Sequence, residues 1–214
     1  MQSLVVDVAF PVRGTTIPAD HAYSLFASLS RLIPAIHADL RIGIHGVSGS
    51  HEPGRRLKLT SMSKLRLRLP IDLLEIVLPL VGRELSIDGH EISIGPPQIF
   101  QLRPAASVQS RMVVIAGFTE PEAFKISLAQ QLESLAIEGH AELLRVGSSA
   151  SIEGRRSRKP GQYVRRTLRV KDREIVGFPA VVSELTADES IRLQECGLGG
   201  RRHYGCGIFA PALR

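Results

Sequence analysis

Tryptophan is missing from this chain of 214 residues, and three Tyr and seven Phe are its only aromatic side chains. So few rings argue against recognition by extensive base stacking, and the aromatic pattern of sequence-reading single-strand modules is absent. Cysteine is nearly absent too. Cys196 and Cys206 are too few for a disulfide framework or a four-thiolate zinc site, and small buried thiols are expected. No His-Glu-x-x-His, no His-x-Glu with Cys-x-x-Cys and no aspartate cluster occurs, so no metal or cofactor is expected. Apolar runs stay well short of the roughly 20 residues needed to span a bilayer. The start, from Met1 to Asp7, lacks a charged n-region followed by a long apolar stretch. A reduced, cytoplasmic, soluble protein with no membrane partner is the expectation.

Acidic residues are also in deficit, 21 against 27 basic ones, for a net charge of +6. The deficit is local: residues 151–173 hold nine basic and two acidic side chains, more than the whole excess. The nine are Arg155, Arg156, Arg158, Lys159, Arg165, Arg166, Arg169, Lys171 and Arg173. A solvated hairpin has this look, but seven arginines with few counter-charges suit a polyanion better, because the guanidinium fork matches phosphate. Lys64, Arg66 and Arg68 alternate with leucines and predict a second basic strand face.

The periodicity predicts an α+β fold. A buried strand covers residues 4–10, and a helix starting at Thr16-Ile17-Pro18 runs until Pro34 stops it. Short strands follow near 42–47, 57–59 and 64–69, then a helix over 71–81 and a hairpin at Asp88-Gly89. After Gly95-Pro96-Pro97 the pattern restarts, with strands at 99–102 and 108–116 and a helix opening at Thr119. Strands at 142–147, 151–158, 163–171 and 174–183 lead to a helix at 187–195 and a last strand at 208–213. Each half reads β-α-β-β-α-β, so two tandem ferredoxin-like (RRM-like) halves with antiparallel sheets are expected, residues 1–100 and 101–214.

The sharpest local feature is Gly197-Leu198-Gly199-Gly200-Arg201-Arg202-His203-Tyr204-Gly205-Cys206-Gly207. Five glycines in eleven positions allow positive φ and a backbone that presents N–H groups to an anion. No Gly-Lys-Ser/Thr follows, which excludes a nucleotide P-loop, and a strand rather than a helix comes next, which excludes a dinucleotide fingerprint. An unliganded glycine-rich turn is the alternative.

Gly, hydrophobic, Gly, five residues including basic ones, then Gly, hydrophobic, Gly resembles the C-terminal glycine-rich loop of the RAMP superfamily. Within it the chain resembles the CRISPR repeat-processing endoribonucleases, the family of the sixth Cas protein. Phe10-Pro11-Val12 and the stretch from Ile17 to Pro34 are similar to the first strand and helix of its compact Myxococcus-type branch. The resemblance implies metal-free cleavage of repeat RNA by its own 2′-hydroxyl, leaving a 2′,3′-cyclic phosphate and a 5′-hydroxyl. A histidine just after the first helix is the usual proton-transfer group there, and His37 occupies that place. His45 is the second candidate, and Arg41, between them, is the candidate cation for the developing phosphorane. The implied RNA contacts are Arg155, Arg156, Arg158, Lys159, Arg165, Arg166, Arg169, Gly197, Gly199, Gly200, Arg201, Arg202 and His203. His21, near the apolar stripe of the helix, is expected to pack or bond locally. The implied partners are precursor and mature CRISPR repeat RNA, with other effector-complex subunits possible. Two alternatives stay open: a non-cleaving RNA-binding subunit of the same fold, and an assembly protein docking an acidic partner.

Overall fold

Every second residue of the first strand is apolar, and this alternation sets the first sheet. A computed structural model describes residues 4–147 and 161–211. Its first elements are β1 (Val5–Arg13), β2 (Thr16–Pro18), α1 (Ala22–Leu32), α2 (Pro34–Ala38), β3 (Gly43–Val47), β4 (Ser50–Glu52), β5 (Arg56–Lys58) and β6 (Lys64–Pro70). A short helix α3 (Leu74–Val77), a hairpin of β7 (Glu84–Ile87) and β8 (His90–Ile94), and β9 (Gln98–Gln101) follow. Val6, Val8, Phe10 and Val12 of β1 are all buried. β6 pairs antiparallel with β1, setting Val8 opposite Leu67 and Phe10 opposite Leu65, so the leucines of β6 join the same core. β3 borders β6, while β9 and the end of β8 pair with the other side of β1. α1 closes the core with Leu25, Phe26 and Leu29, spaced three and four apart on one face.

The second set comprises β10 (Val108–Val113), α4 (Pro121–Ser134), β11 (His140–Leu143), β12 (Arg166–Val170), β13 (Arg173–Ser183), α5 (Ala187–Cys196) and β14 (Ala210–Pro211). Its sheet order is β11-β13-β10-β14. The first sheet has the same permutation: the strand after the first helix at one edge, then the third, the first and the last. Both halves are therefore ferredoxin-like with antiparallel sheets. Phe124 of α4 meets Phe178 of β13 edge-on at 4.9 Å, at the centre of a core completed by Leu128, Val182, Leu193 and Phe209. Thr186 and Glu189 form a reciprocal capping box that starts α5. The described residues divide into two compact units. One runs to Leu102 and includes Arg169–Lys171 and Arg202–Gly205; the other holds the remainder.

Several local expectations give way to tertiary context. Thr16–Pro18 is a strand paired with Arg56–Lys58, not a helix start. The first helix does end before Pro34, at Leu32, but Pro34 then opens a second short helix, α2, because the chain turns at Ile33 and a proline fits the first helical position. The helix expected over 71–81 breaks into α3 between two 3₁₀ turns, with Pro79 inside the second. The final strand begins at Ala210 rather than at residue 208, and residues 151–158 and 212–213 lie outside the described residues. The basic face expected on β6 is only partly exposed: Arg66 faces solvent, but Arg68 is 1% exposed and bound to Asp7. Cys196 is exposed, not buried; Cys206 is buried, and burial pushes its thiol up to about 12.

His21 caps α1 without using its side chain at the helix end. Its ring instead bridges two chain segments: Nδ1–H donates to the Pro18 carbonyl at 2.9 Å, and Nε2 accepts from the Val47 N–H at 3.1 Å. Both bonds fix the tautomer. His21→Ala leaves the two backbone groups without these partners, so a loss of about 2–3 kcal/mol in denaturant unfolding is expected. A change below about 0.5 kcal/mol would remove this role from the ring.

Candidate active site

α1 and α2 are joined by a sharp bend at Ile33, and this bend builds the site. In α2 the Ile36 side chain is fully buried, so His37, one residue on, is turned outward and exposed. On α1, Tyr23 and Phe26 are three residues apart and share a face. The His37 imidazole stacks on Phe26, with ring centroids 5.5 Å apart at 29°. The turn Arg202–Tyr204, which belongs to the same compact unit, brings a second imidazole to that ring. His203 lies nearly parallel to Phe26, 5.0 Å away at 12°. Tyr204 meets Phe26 edge-on at 5.2 Å and lies 6.3 Å from Tyr23. His203 Nε2 donates to the Asp39 carbonyl at 3.0 Å, tying the turn to the end of α2.

Arg41, the expected cation, is already engaged. Its Nε and Nη2 bond both oxygens of Asp39, at 3.0 and 2.6 Å, and its Nη1 lies 3.6 Å from Asp72. The Arg41 hydrogen bond holds the Asp39 carboxyl below the usual carboxylate range. Two carboxylates therefore answer the charge assigned to Arg41 from its position alone. His45 has a different setting. Its Nε2 is 3.4 Å from Asp7 Oδ1, beside the Asp7–Arg68 pair. Burial pushes its pKa below the ordinary imidazole value, and the pull of Asp7 offsets this only in part. His45 thus belongs to the buried ion-pair cluster of the first sheet, whereas His37 and His203 share Phe26.

Within the second unit, the glycines of the C-terminal segment serve close backbone packing. A Cβ on Gly199 would come 2.3 Å from the Val114 carbonyl oxygen, and one on Gly207 would come 2.1 Å from that of Leu198. Both positions have left-handed φ, 72° and 68°, so no side chain is tolerated there. The amides of Gly197, Leu198, Gly199, Gly200, Cys206 and Gly207 all donate to protein acceptors: Leu193, Gly207, Gln131, Val114, Arg201 and Met112. In this conformation these six donors are therefore bonded within the protein, and charge at the segment comes from side chains. Arg201 is exposed and lines, with Gln131, Gly199, Gly200 and Val114, an open cavity of about 360 Å³.

Of the basic segment, Arg165 donates to the Thr119 carbonyl at 2.6 Å and to Glu120 at 3.3 Å, with its guanidinium over Phe178. Arg166 is half-buried and Arg169 exposed, both on β12. Arg155, Arg156, Arg158 and Lys159 lie outside the described residues. Sequence reasoning missed Phe26, Tyr204 and Asp39. The available signal was the i, i+3 aromatic pair Tyr23 and Phe26, set on a helix otherwise read as core.

The pattern described as Cas6 Crispr matches residues 6–214. The chain belongs to the Cas6 family. A Cas6 relative, the CRISPR-associated endonuclease Cas6 of Myxococcus xanthus (strain DK1622), is 36% identical over 209 residues, which cover 98% of this chain and 82% of the relative. This accords with the Myxococcus-type resemblance. In fold the Cas6 chain is similar to a Cas6-related protein from Pyrococcus furiosus, with a TM-score of 0.63 at 14% identity, covering 97% of this chain and 98% of that one. It is also similar to a RAMP protein binding different RNA substrates, with a TM-score of 0.62 at 12% identity and the same coverage.

Proposed function

We propose that this Cas6 protein binds CRISPR repeat RNA and cuts the precursor transcript into guide RNAs as a metal-independent endoribonuclease. The 2′-hydroxyl attacks the neighbouring phosphorus, the P–O5′ bond breaks, and a 2′,3′-cyclic phosphate and a 5′-hydroxyl result. Such a reaction needs proton transfer at two oxygens and positive charge near the phosphorane. The observation that carries the reading is the packing of two imidazoles, the exposed His37 and the half-buried His203, on one ring, Phe26. His37 is the proton-transfer group, and Arg201 and Arg202 supply cationic contacts to the RNA backbone. The relative named as an endonuclease and the RAMP protein named for binding RNA support the reading. Arg165, Arg166, Arg169 and the basic residues at 155–159 grip the repeat stem. Arg41 orients the end of α2 through Asp39, and the glycines at 197, 199 and 200 shape the segment that carries Arg201. The product RNA and other effector subunits are the proposed partners, in the cytoplasm.

The test is incubation of the protein with a repeat hairpin in EDTA. Cleavage with a product resistant to ligation until its cyclic phosphate is opened is expected. Tight binding with no product at excess protein would convert the reading to a non-cleaving subunit. Loss of activity in EDTA, restored by a divalent cation, would overturn the metal-free chemistry. RNA affinity is expected to fall steeply with salt, because phosphate contacts release counterions.

A further inference from the structure

We infer that His203, in the glycine-rich segment, is a second proton-transfer residue: it takes the proton of the attacking 2′-hydroxyl while His37 protonates the leaving oxygen. This rests on the endoribonuclease reading above and assigns that site's division of labour. The argument starts from a hydrogen bond. A carbonyl oxygen can only accept, so the 3.0 Å contact between His203 Nε2 and the Asp39 carbonyl puts a proton on Nε2. The neutral ring then carries its lone pair on Nδ1, and Asp39 fixes that tautomer as a carbonyl or carboxylate partner does in other histidine bases. The ring is also held in plane by its near-parallel stack on Phe26, at 12°. An imidazole held in orientation and tautomer is prepared to receive a proton at one known atom.

His37 differs on each count. It is exposed, it stacks on the same Phe26 at a steeper 29°, and it sits on the outward side of α2. Open to solvent, it exchanges protons with water and can be recharged as an acid between turnovers. One aromatic ring thus carries both imidazoles, with centroids 5.5 and 5.0 Å from its own, and an in-line displacement needs two groups, one acting on each side of the phosphorus. In the step, the 2′-hydroxyl proton passes to His203 Nδ1 and the O2′–P bond forms. The P–O5′ bond breaks as the His37 imidazolium gives its proton to O5′. His203 finishes protonated and His37 neutral, and exchange with water restores both.

The experiment compares two repeat hairpins, one with an ordinary scissile phosphate and one with sulfur replacing the bridging 5′ oxygen. A thiolate leaves without a proton, so it bypasses the acid but not the base. The variants are His37→Ala and His203→Gln; the glutamine amide keeps a donor for the Asp39 carbonyl but cannot take a proton. Melting temperature and hairpin affinity are measured alongside to show that the fold and the binding surface persist. On the ordinary hairpin both variants are expected to lose about 10²–10⁴-fold in single-turnover rate. On the sulfur-bridged hairpin His37→Ala recovers to near the wild-type rate and His203→Gln does not. The inference is overturned if His203→Gln cleaves the ordinary hairpin at close to the wild-type rate, since the residue then only positions the turn. It is overturned equally if the sulfur substrate rescues His203→Gln. A wild-type protein that cleaves neither hairpin strikes the nuclease reading itself, which keeps the two failures apart.

Discussion

In single-turnover assays with excess protein, His37→Ala is expected to cleave a repeat hairpin about 10²–10⁴-fold more slowly than the wild type, with RNA affinity unchanged. The separation of rate from affinity follows from where the residue sits. His37 is exposed on α2, one residue beyond the buried anchor Ile36, and the fold does not depend on its ring. The charges proposed to hold RNA lie elsewhere, on Arg201, Arg202 and the basic segment. A group that acts only as the scissile bond breaks lowers the rate and leaves ground-state binding alone. Gel-shift titration and cleavage time courses on the same preparation check both halves. Equal losses of affinity and rate would instead make His37 an RNA contact, and undiminished cleavage would remove it from the chemistry. His45→Ala gives the contrast: its imidazole belongs with Asp7, so its main cost is expected in stability.

Much of this fold could be read along the chain because its signals are local. Strict alternation in Lys64–Pro70 made β6 a strand, and apolar spacing in Pro121–Ser134 made α4 a helix. The Asp88-Gly89 hairpin is likewise a matter of two adjacent residues. What escaped depends on distant partners. The strand Thr16–Pro18 exists because Arg56–Lys58 pairs with it, and Arg68 is buried because Asp7, 61 positions away, receives it. The site shows the same division. His37 is a candidate only through the resemblance, which implies a histidine just after the first helix, while the glycine-rich segment stands out by its own spacing. Their convergence on Phe26, and the use of most glycine amides inside the protein, required the three-dimensional arrangement. A glycine pattern specifies where side chains are forbidden; it does not say whether the freed amides face a ligand or the protein's own carbonyls.

Asp7→Asn is expected to cost about 3–5 kcal/mol of folding stability, the loss typical when one partner of a buried ion pair is removed. Arg68 is 1% exposed, and its Nε and Nη2 bond the two carboxylate oxygens of Asp7 at 2.7 and 2.9 Å. Asparagine matches the shape but removes the charge, leaving a buried guanidinium without its counter-ion. The effect also sets an acid limit. Burial pushes the Asp7 carboxyl up, but hydrogen bonds from His45 and Arg68 outweigh it and leave the carboxyl well below the usual range. A carboxyl held low in the folded protein adds stability that is present above its ordinary pKa of about 4 and disappears as pH falls toward the folded value. Urea unfolding across the acid range should therefore show wild type and Asp7→Asn converging as pH drops, with their full separation near neutrality. Pairing Asp7→Asn with Arg68→Met should restore part of the loss, because apolar packing replaces a buried charge whose carboxylate has been removed. If the single and double variants proved equally unstable, the energy would lie in the packing of β1 against β6 rather than in the ion pair.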